Sequence, residues 1–69
     1  MELSARNQFS GHVKEVKLGN IMAEIVVDIG GGHEVVAAIT RGSAERLALT
    51  QGSNVTVVIK ATEVLIAKD

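Results

Sequence analysis

Apolar and polar side chains alternate regularly in the second quarter of the chain. From Ile21 to Ile29 every second residue is apolar, and Glu24 and Asp28 lie between the apolar positions. Because successive side chains of a strand point to opposite faces, this alternation predicts a β-strand with one face toward a core. Three glycines and a second apolar stretch, His33 to Thr40, follow it, which predicts a hairpin with a glycine turn.

A long first strand is predicted ahead of this hairpin, from about Leu3 to Lys17. Val13 and Val16 are the apolar residues in its second half, and they have opposite parity. A strict alternation therefore fails between them. We expect a bulge or bend near these two residues, with Gly11 close by, which allows one strand to serve two regions of a sheet.

One short helix is predicted between the hairpin and two later strands. Apolar residues recur at helical spacing from Gly42 to Leu49, after Thr40 or Ser43 as a capping residue. The later strands are predicted at Asn54 to Ile59 and at Val64 to Ala67. Five antiparallel strands with a short helix between the third and the fourth have the element order of an all-β, OB-like Greek-key barrel.

The aliphatic character of the chain bears on its assembly. Its 69 residues are enough for one domain, and 46% of them are hydrophobic although Phe9 is the only aromatic residue. A domain of this size buries only about 60% of its unfolded surface, and the chain has no cysteine for a disulfide. The third and fourth strands are apolar on both faces, whereas a small barrel has one interior. We therefore expect residues 1–69 to form a single domain that is covered by other copies of itself.

Charge and residue inventory argue against several classes of function. The net charge of -1 provides no basic field for a polyanion, and with a single aromatic residue this disfavours a nucleic-acid-binding module. No cysteine nucleophile and no recognisable Ser/His/Asp or paired-carboxylate arrangement is present, so we do not expect an enzyme. The N-terminal residues do not resemble a secretory signal, and no apolar run approaches the ~18 residues of a membrane span. We expect no membrane partner and a cytoplasmic location.

Three short segments concentrate hydrogen-bond donors. They are Ser4 to Gln8 with Arg6 at its centre, Thr40 to Ser43 at the predicted helix start, and Lys60 to Thr62 after the fourth strand. Hydroxyl, amide and guanidinium groups, together with the free N–H groups of a helix start, suit a small oxyanion. Each segment also has an ordinary structural explanation, namely a solvated strand end, a helix cap and a surface lysine. The residue types alone leave these alternatives open.

Two further features are weaker candidates. His12 and His33 could bind a metal together with Asp28 or Glu34, but they lack a recognised ligand spacing. The glycines from Gly30 to Gly32 could hold a phosphate, but a phosphate loop requires a helix after it, and a strand is predicted there. We expect neither a metal nor a cofactor.

The donor segments together resemble one family. Ser4 to Gln8 and Ile59 to Thr62, with Thr40 and Ser43 between them, resemble the molbindins, also called Mop proteins or single TOBE-type domains. The resemblance covers nearly the whole chain. It implies an OB-like fold in which subunits pair by exchanging strands, and dimers that assemble into a hexamer, a trimer of dimers. It also implies that molybdate or tungstate is held at subunit interfaces.

The resemblance further implies which residues form the sites. The main interfacial oxyanion site would be lined by Ser4, Arg6, Thr40, Ser43, Lys60 and Ala61, the last through its backbone. A second oxyanion site of the family lies nearer the threefold axis, and the resemblance points to Gly19, Asn20 and Ile21 there. The chain departs from the family pattern at Phe9, where an aliphatic residue is usual, and at Ala48, where glycine is frequent. Neither departure removes a donor.

The expected function is intracellular binding of molybdate, with tungstate as a close substitute, for storage, buffering or delivery. Molybdate is a tetrahedral dianion that only accepts hydrogen bonds, so a site made of donors suits it. Phosphate is partly protonated near neutral pH, and its O–H facing a donor would cost about 1–3 kcal/mol. Two alternatives stay open: an OB-type nucleic-acid-binding module, and a free regulatory TOBE-like module that signals the level of oxyanion.

Overall fold

The elements follow the predicted order up to the fourth strand. The fold is that of a computed structural model, which describes residues 1–69. Its elements are β1 (Asn7–Leu18), β2 (Met22–Gly30), β3 (His33–Thr40), α1 (Arg41–Arg46), β4 (Asn54–Ile59) and one turn of 3-10 helix (Ala61–Glu63). No helix is long and apolar enough to cross a membrane.

All strand pairs are antiparallel, and β1 is shared between two of them. The strand order is β3-β2-β1-β4. The first half of β1 pairs with β4, where Asn7 lies opposite Ile59. Its second half pairs with β2, where Leu18 lies opposite Ala23. The outer edges of β3 and β4 therefore have no strand partner within the chain.

The predicted irregularity of the first strand is confirmed as a β-bulge. Val13 lies opposite Val27, but Glu15 lies opposite Val26, so Lys14 is an extra residue in β1. An extra residue bends a strand and increases its twist. This bend lies where β1 passes from its pairing with β4 to its pairing with β2.

Glycine is required at two places in the sheet. A Cβ atom at Gly11 would overlap the backbone oxygen of Asp28 and lie 3.0 Å from Cγ1 of Val27. Any side chain at this position would therefore push β2 away from β1. In the turn between β2 and β3, the three residues from Gly30 to Gly32 have φ values of 90°, 64° and 79°. Since side chains disfavour positive φ, the predicted glycine turn is confirmed with its physical reason.

The core is small and comes mainly from β2. The fully buried residues are Val13, Ala23, Ile25, Val27 and Ala44. Three of them occupy alternate positions of β2, as the sequence pattern predicted. Ile21, which was predicted on the same face, lies instead in the bend before β2 and is 76% exposed. Five aliphatic side chains of this size leave a single chain marginally stable.

Helix α1 is shorter than predicted because of the residue that follows it. Its N-cap is Thr40, whose Oγ1 accepts a hydrogen bond from the backbone N–H of Ser43 at 3.1 Å. Leu47 is the C-cap, and Ala48 then has a φ of 52°, in the left-handed region. A left-handed residue at this position ends a helix. The helix therefore stops before Leu49, the predicted end.

The predicted fifth strand, Val64 to Ala67, is wrong for the single chain. The N–H groups of Glu63 and Val64 bond back to the carbonyls of Lys60 and Ala61, so the chain turns away as β4 ends. No strand edge pairs with the residues beyond, and Leu65 and Ile66 are 92% and 89% exposed. One chain therefore forms an open four-stranded antiparallel sheet with one short helix, and not a closed five-stranded barrel.

The first strand also begins later than predicted, at Asn7 and not at Leu3. Asn7 is paired with Ile59, which is the last residue of β4. Since β4 offers no backbone beyond that point, the residues before Asn7 have no partner with which to continue the ladder.

Candidate functional site

Four of the six residues predicted for the main site lie at one end of the sheet. The Asn7–Ile59 pair joins the start of β1 to the end of β4. The side-chain amide of Asn7 also donates to the carbonyl of Ile59 at 3.2 Å, which reinforces this pair. Arg6 directly precedes β1, and Lys60 directly follows β4. We call Ser4, Arg6, Lys60 and Ala61 the basic end.

The other two predicted residues lie at the opposite end of β1. Thr40, the last residue of β3, is paired with Met22, the first residue of β2. Met22 in turn accepts a hydrogen bond from the N–H of Gly19 at 2.7 Å, just after the end of β1. Thr40 and Ser43, with the bend formed by Gly19, Asn20 and Ile21, are called the hydroxyl end. The residues predicted for the second site therefore lie beside Thr40.

The length of β1 separates the two ends. β1 has 12 residues from Asn7 to Leu18, and at about 3.3 Å per residue these span up to about 36 Å. The longest dimension of the whole chain is 38 Å. An oxyanion only a few ångströms wide cannot bridge this separation. A single chain therefore does not bring the six predicted residues together.

Side-chain hydrogen bonds organise the hydroxyl end. The hydroxyl of Thr40 donates to Oγ of Ser43 at 2.8 Å, and the N–H of Ser43 donates back to Oγ1 of Thr40 at 3.1 Å. Nη2 of Arg46 donates to the same Ser43 Oγ at 3.3 Å. Arg46 therefore brings a positive charge to the two hydroxyl groups. The residues predicted for this end include no charged side chain.

Two arginines at the hydroxyl end were not among the predicted site residues: Arg46, and Arg41, which lies within the donor segment from Thr40 to Ser43. Arg46 follows Ser43 by three residues, the spacing at which side chains meet on one face of a helix, so this signal was present in the sequence. Arg41 reaches Gly19, where its Nη1 donates to the carbonyl at 3.3 Å, and its backbone N–H donates to Ile21 at 2.7 Å. No local spacing could have revealed that contact, because it depends on the pairing of β2 with β3.

Three of the basic side chains near the two ends form no ion pair with a carboxylate. Arg6, Arg46 and Lys60 take part in no ion pair, and neither does Lys68 in the terminal tail. The remaining basic residues, Lys14, Lys17 and Arg41, are paired with glutamates. Cations without a carboxylate partner keep their full attraction for an added anion.

Acidic groups lie beside the basic residues in the middle of β1, near the turn between β2 and β3. Lys14 contacts the carboxylate of Glu34, and this hydrogen bond, followed by the negative charge itself, raises the pKa of Lys14. Nε2 of His12 lies 3.8 Å from Oδ2 of Asp28. His33 lies near the same turn, but no group of three or more histidine and carboxylate side chains comes together there in a metal-binding arrangement.

An open apolar groove lies between β3 and β4, on the face that carries the core. Its volume is about 250 Å³. The apolar residues that line it are Ile25, Val27, Ala37, Ile39, Leu47, Leu49, Val55, Val57 and Val58.

Known proteins resemble the chain along its length. The TOBE domain model matches residues 3–66. Molybdenum-pterin-binding protein 3 of Clostridium pasteurianum is 46% identical over 66 residues, which cover 96% of this chain and 97% of that protein. A molybdate-binding protein from Sporomusa ovata has a solved structure that matches with a TM-score of 0.92 at 46% identity, over 99% of this chain and 100% of that one.

A longer protein contains a similar unit. The cytoplasmic molybdate-binding protein ModG, whose structure has molybdate bound, matches with a TM-score of 0.84 at 36% identity. The match covers 88% of this chain but only 43% of the ModG chain. The named relatives are binding proteins. Because the family model covers nearly all of the residues, the chain belongs to the TOBE domain family and is similar over its whole length to the molybdenum-pterin-binding (Mop) proteins.

Proposed function

We propose that this protein binds molybdate, with tungstate as a close substitute, and that it releases the anion unchanged. The observation that carries the proposal is the likeness, over nearly every residue, to a molybdate-binding protein with a TM-score of 0.92. The chemistry of the two ends supports it. Both ends present donors and cations that have no carboxylate partner, and molybdate offers only acceptors.

The main site is formed between chains. The basic end of one chain contributes Ser4, Arg6, Lys60 and the backbone of Ala61, and the hydroxyl end of another contributes Thr40 and Ser43. The separation of the two ends along β1 supports this arrangement, because a single chain cannot close the site. Positive charge on one side and fixed hydroxyls on the other would hold a tetrahedral dianion at a partly desolvated interface.

A second oxyanion site involves Gly19, Asn20 and Ile21. These residues lie beside Thr40, and Arg41 ties them to the start of α1 through two hydrogen bonds. Their backbone lies at the end of the sheet, where N–H groups are not all used by strand pairing. The two kinds of site would then be neighbours.

The assembly proposed is a hexamer built from strand-exchanged dimers. Val64 to Ala67 of one chain would enter the apolar groove of its partner and pair with the free edges of β3 and β4, which completes a five-stranded OB-like barrel. The exposure of Leu65 and Ile66 and the apolar lining of the groove support this exchange. Contiguous exposed apolar surface commonly marks an interaction site.

The biological role proposed is storage, buffering or delivery of molybdate in the cytoplasm, without catalysis. ModG, a protein with a similar unit, is described as cytoplasmic. Relatives that are named molybdenum-pterin-binding proteins point to a second candidate ligand, a pterin that carries the metal. A flat pterin ring is usually held by stacking between aromatic side chains, and the chain has a single one, Phe9. Free molybdate is therefore the ligand we favour.

Titration calorimetry tests the proposal. Purified protein is titrated separately with molybdate, tungstate, sulfate, phosphate and a pterin, and light scattering gives the mass of the particle. The expected result is saturable binding of molybdate and tungstate to an oligomer of the 7.2 kDa chain. Binding of the pterin but not of free molybdate, or of neither, would contradict the proposal.

A further inference from the structure

The hydroxyl of Ser43 is held in one orientation by its neighbours. A serine hydroxyl has two acceptor positions and one hydrogen to donate. In this protein the hydroxyl of Thr40 and Nη2 of Arg46 both donate to Ser43 Oγ, at 2.8 Å and 3.3 Å. Both acceptor positions are therefore occupied, and the hydrogen of Ser43 is directed away from this pair.

We propose that Arg46 is a positioning residue for the oxyanion, which fixes Ser43 as a donor and adds positive charge to the hydroxyl end. This inference rests on the proposed function and extends it to a residue outside the predicted set. A guanidinium group has donors only, so its hydrogen bond to Ser43 can run in one direction. Donation to a hydroxyl oxygen also strengthens the hydrogen bond which that hydroxyl donates in turn.

The charges of the chain are consistent with this role. Arg46 has no carboxylate partner, in contrast to Arg41, which lies on the same helix and pairs with Glu45 at 3.3 Å. Thr40 already donates its hydroxyl hydrogen to Ser43, so without Arg46 the hydroxyl end would present one free hydroxyl hydrogen, that of Ser43, and no free cation to a dianion. With it, the anion meets positive charge from both chains that form the site.

The orientation of Ser43 has a consequence for selectivity. A hydroxyl that is free to rotate can either donate to an oxyanion or accept from one, so it accommodates hydrogen phosphate. A hydroxyl whose acceptor positions are filled can only donate, and it therefore opposes the O–H group of hydrogen phosphate. Arg46 would thus favour the fully deprotonated molybdate over phosphate.

Four variants test the role of Arg46: Arg46→Ala, Arg46→Lys, Ser43→Ala and the double variant with Ser43→Ala and Arg46→Ala. Sodium molybdate and sodium phosphate are titrated into each by calorimetry, and light scattering checks that the oligomer is retained. Lys17→Ala is the control, since it removes an exposed cation that is paired with Glu24 at 3.5 Å.

Arg46→Ala should weaken molybdate binding about three- to tenfold, the effect of losing one net hydrogen bond. It should also reduce the preference for molybdate over phosphate. Arg46→Lys should keep part of the affinity and part of the preference, and Lys17→Ala should change neither the affinity nor the preference. The losses in the double variant should be smaller than the product of the two single losses, because Arg46 acts in large part through Ser43.

Two results would overturn the role of Arg46 while leaving molybdate binding in place. They are an Arg46→Ala protein with the affinity and selectivity of the parent, and a double variant whose losses multiply. Failure of the parent protein to bind molybdate would overturn the proposed function as well, so the two failures are distinguishable.

Discussion

The basic end and the hydroxyl end are built by different means. At the basic end, backbone pairing of β1 with β4 sets the position of Arg6 and Lys60, and both side chains are exposed and make no ion pair. At the hydroxyl end, side-chain hydrogen bonds fix Thr40, Ser43 and Arg46 relative to each other. The first region supplies exposed positive charge, and the second supplies a hydroxyl group, that of Ser43, with a fixed orientation.

This difference bears on the cost of holding like charges together at the proposed interfacial site. Cations that share a pocket without a ligand repel each other. In the proposed oligomer without its anion, the cations of the basic end of one chain would lie near the cation of the hydroxyl end of another, and a bound dianion would relieve their repulsion. The proposed hydrophobic contacts between the groove and the terminal tail would hold this empty oligomer together.

Removal of the Lys60 side chain from the basic end should have the largest effect, which is a loss of molybdate affinity. A charge-assisted hydrogen bond contributes about 1.5–3 kcal/mol, so Lys60→Ala should weaken molybdate binding by roughly ten- to a hundredfold or more. The empty oligomer should stay as stable as the parent or become slightly more stable. Calorimetry measures the first quantity and thermal unfolding the second.

Lys68→Ala is the matched control, because Lys68 is also a lysine without an ion pair but lies in the exposed tail. It should bind molybdate like the parent. If Lys60→Ala also bound like the parent, or if it lost binding only because the oligomer dissociated, the role assigned to the basic end would be wrong.

Gly11 lies in the middle of β1, between the two ends, and a substitution there should disturb both. Gly11→Ala places a Cβ against the backbone oxygen of Asp28, and β2 must shift to relieve the overlap. We expect a loss of about 1–3 kcal/mol in the free energy of unfolding, as for overpacked cores. Gly42→Ala has open space around its Cβ and should be neutral or slightly stabilising. Equal denaturation midpoints for the two variants would contradict this account of the bulge region.

Ala48 follows the end of α1, and its replacement by glycine should make this region of the fold more stable. Its φ of 52° lies in the left-handed region, which costs a residue with a side chain roughly 1–2 kcal/mol. Ala48→Gly should therefore raise the free energy of unfolding by about 0.5–1 kcal/mol, since glycine also gives up more freedom on folding. A denaturant midpoint equal to that of the parent or below it would show that the helix end is not strained in the assembled protein.

The pair of Lys14 and Glu34 lies outside both ends, and breaking it should have the smallest effect on the stability of the fold. Glu34 raises the pKa of Lys14, first through their hydrogen bond and then through its charge. A raised lysine pKa stabilises the fold below the ordinary value of 10.5, and this contribution disappears as the pH rises through the higher folded value. Glu34→Gln should slightly lower the melting temperature at neutral pH and not at strongly alkaline pH. A difference that grows with pH would contradict the assignment.

The local patterns of the sequence were sufficient for most of the sheet. The alternation from Ala23 to Val27, the glycine turn and the mismatch of Val13 with Val16 each depend on neighbouring residues, and each is found in the structure. The departure expected at Ala48 coincides with a left-handed φ of 52°, a backbone conformation that favours glycine.

Two of the remaining errors concern features that local patterns do not determine, and a third does not. Whether Val64 to Ala67 forms a strand depends on an edge that pairs with it, and a single chain offers none at that place. The division of the predicted site into two ends follows from the register of β1 with both neighbours, which no spacing along the chain reveals. Arg46 was overlooked although its helical spacing from Ser43 was readable.

The central claim is that each molybdate site combines the basic end of one chain with the hydroxyl end of another, and a mixing experiment tests it most directly. Lys60→Ala and Ser43→Ala damage opposite ends and should each bind weakly alone. When the two are unfolded together and refolded as a mixture, about a quarter of the sites in randomly mixed oligomers should contain one intact end from each chain. The account predicts that calorimetry recovers this fraction of sites with the affinity of the parent. Mixed oligomers with no recovered high-affinity sites would show that both ends of a site come from the same chain, which would contradict the account.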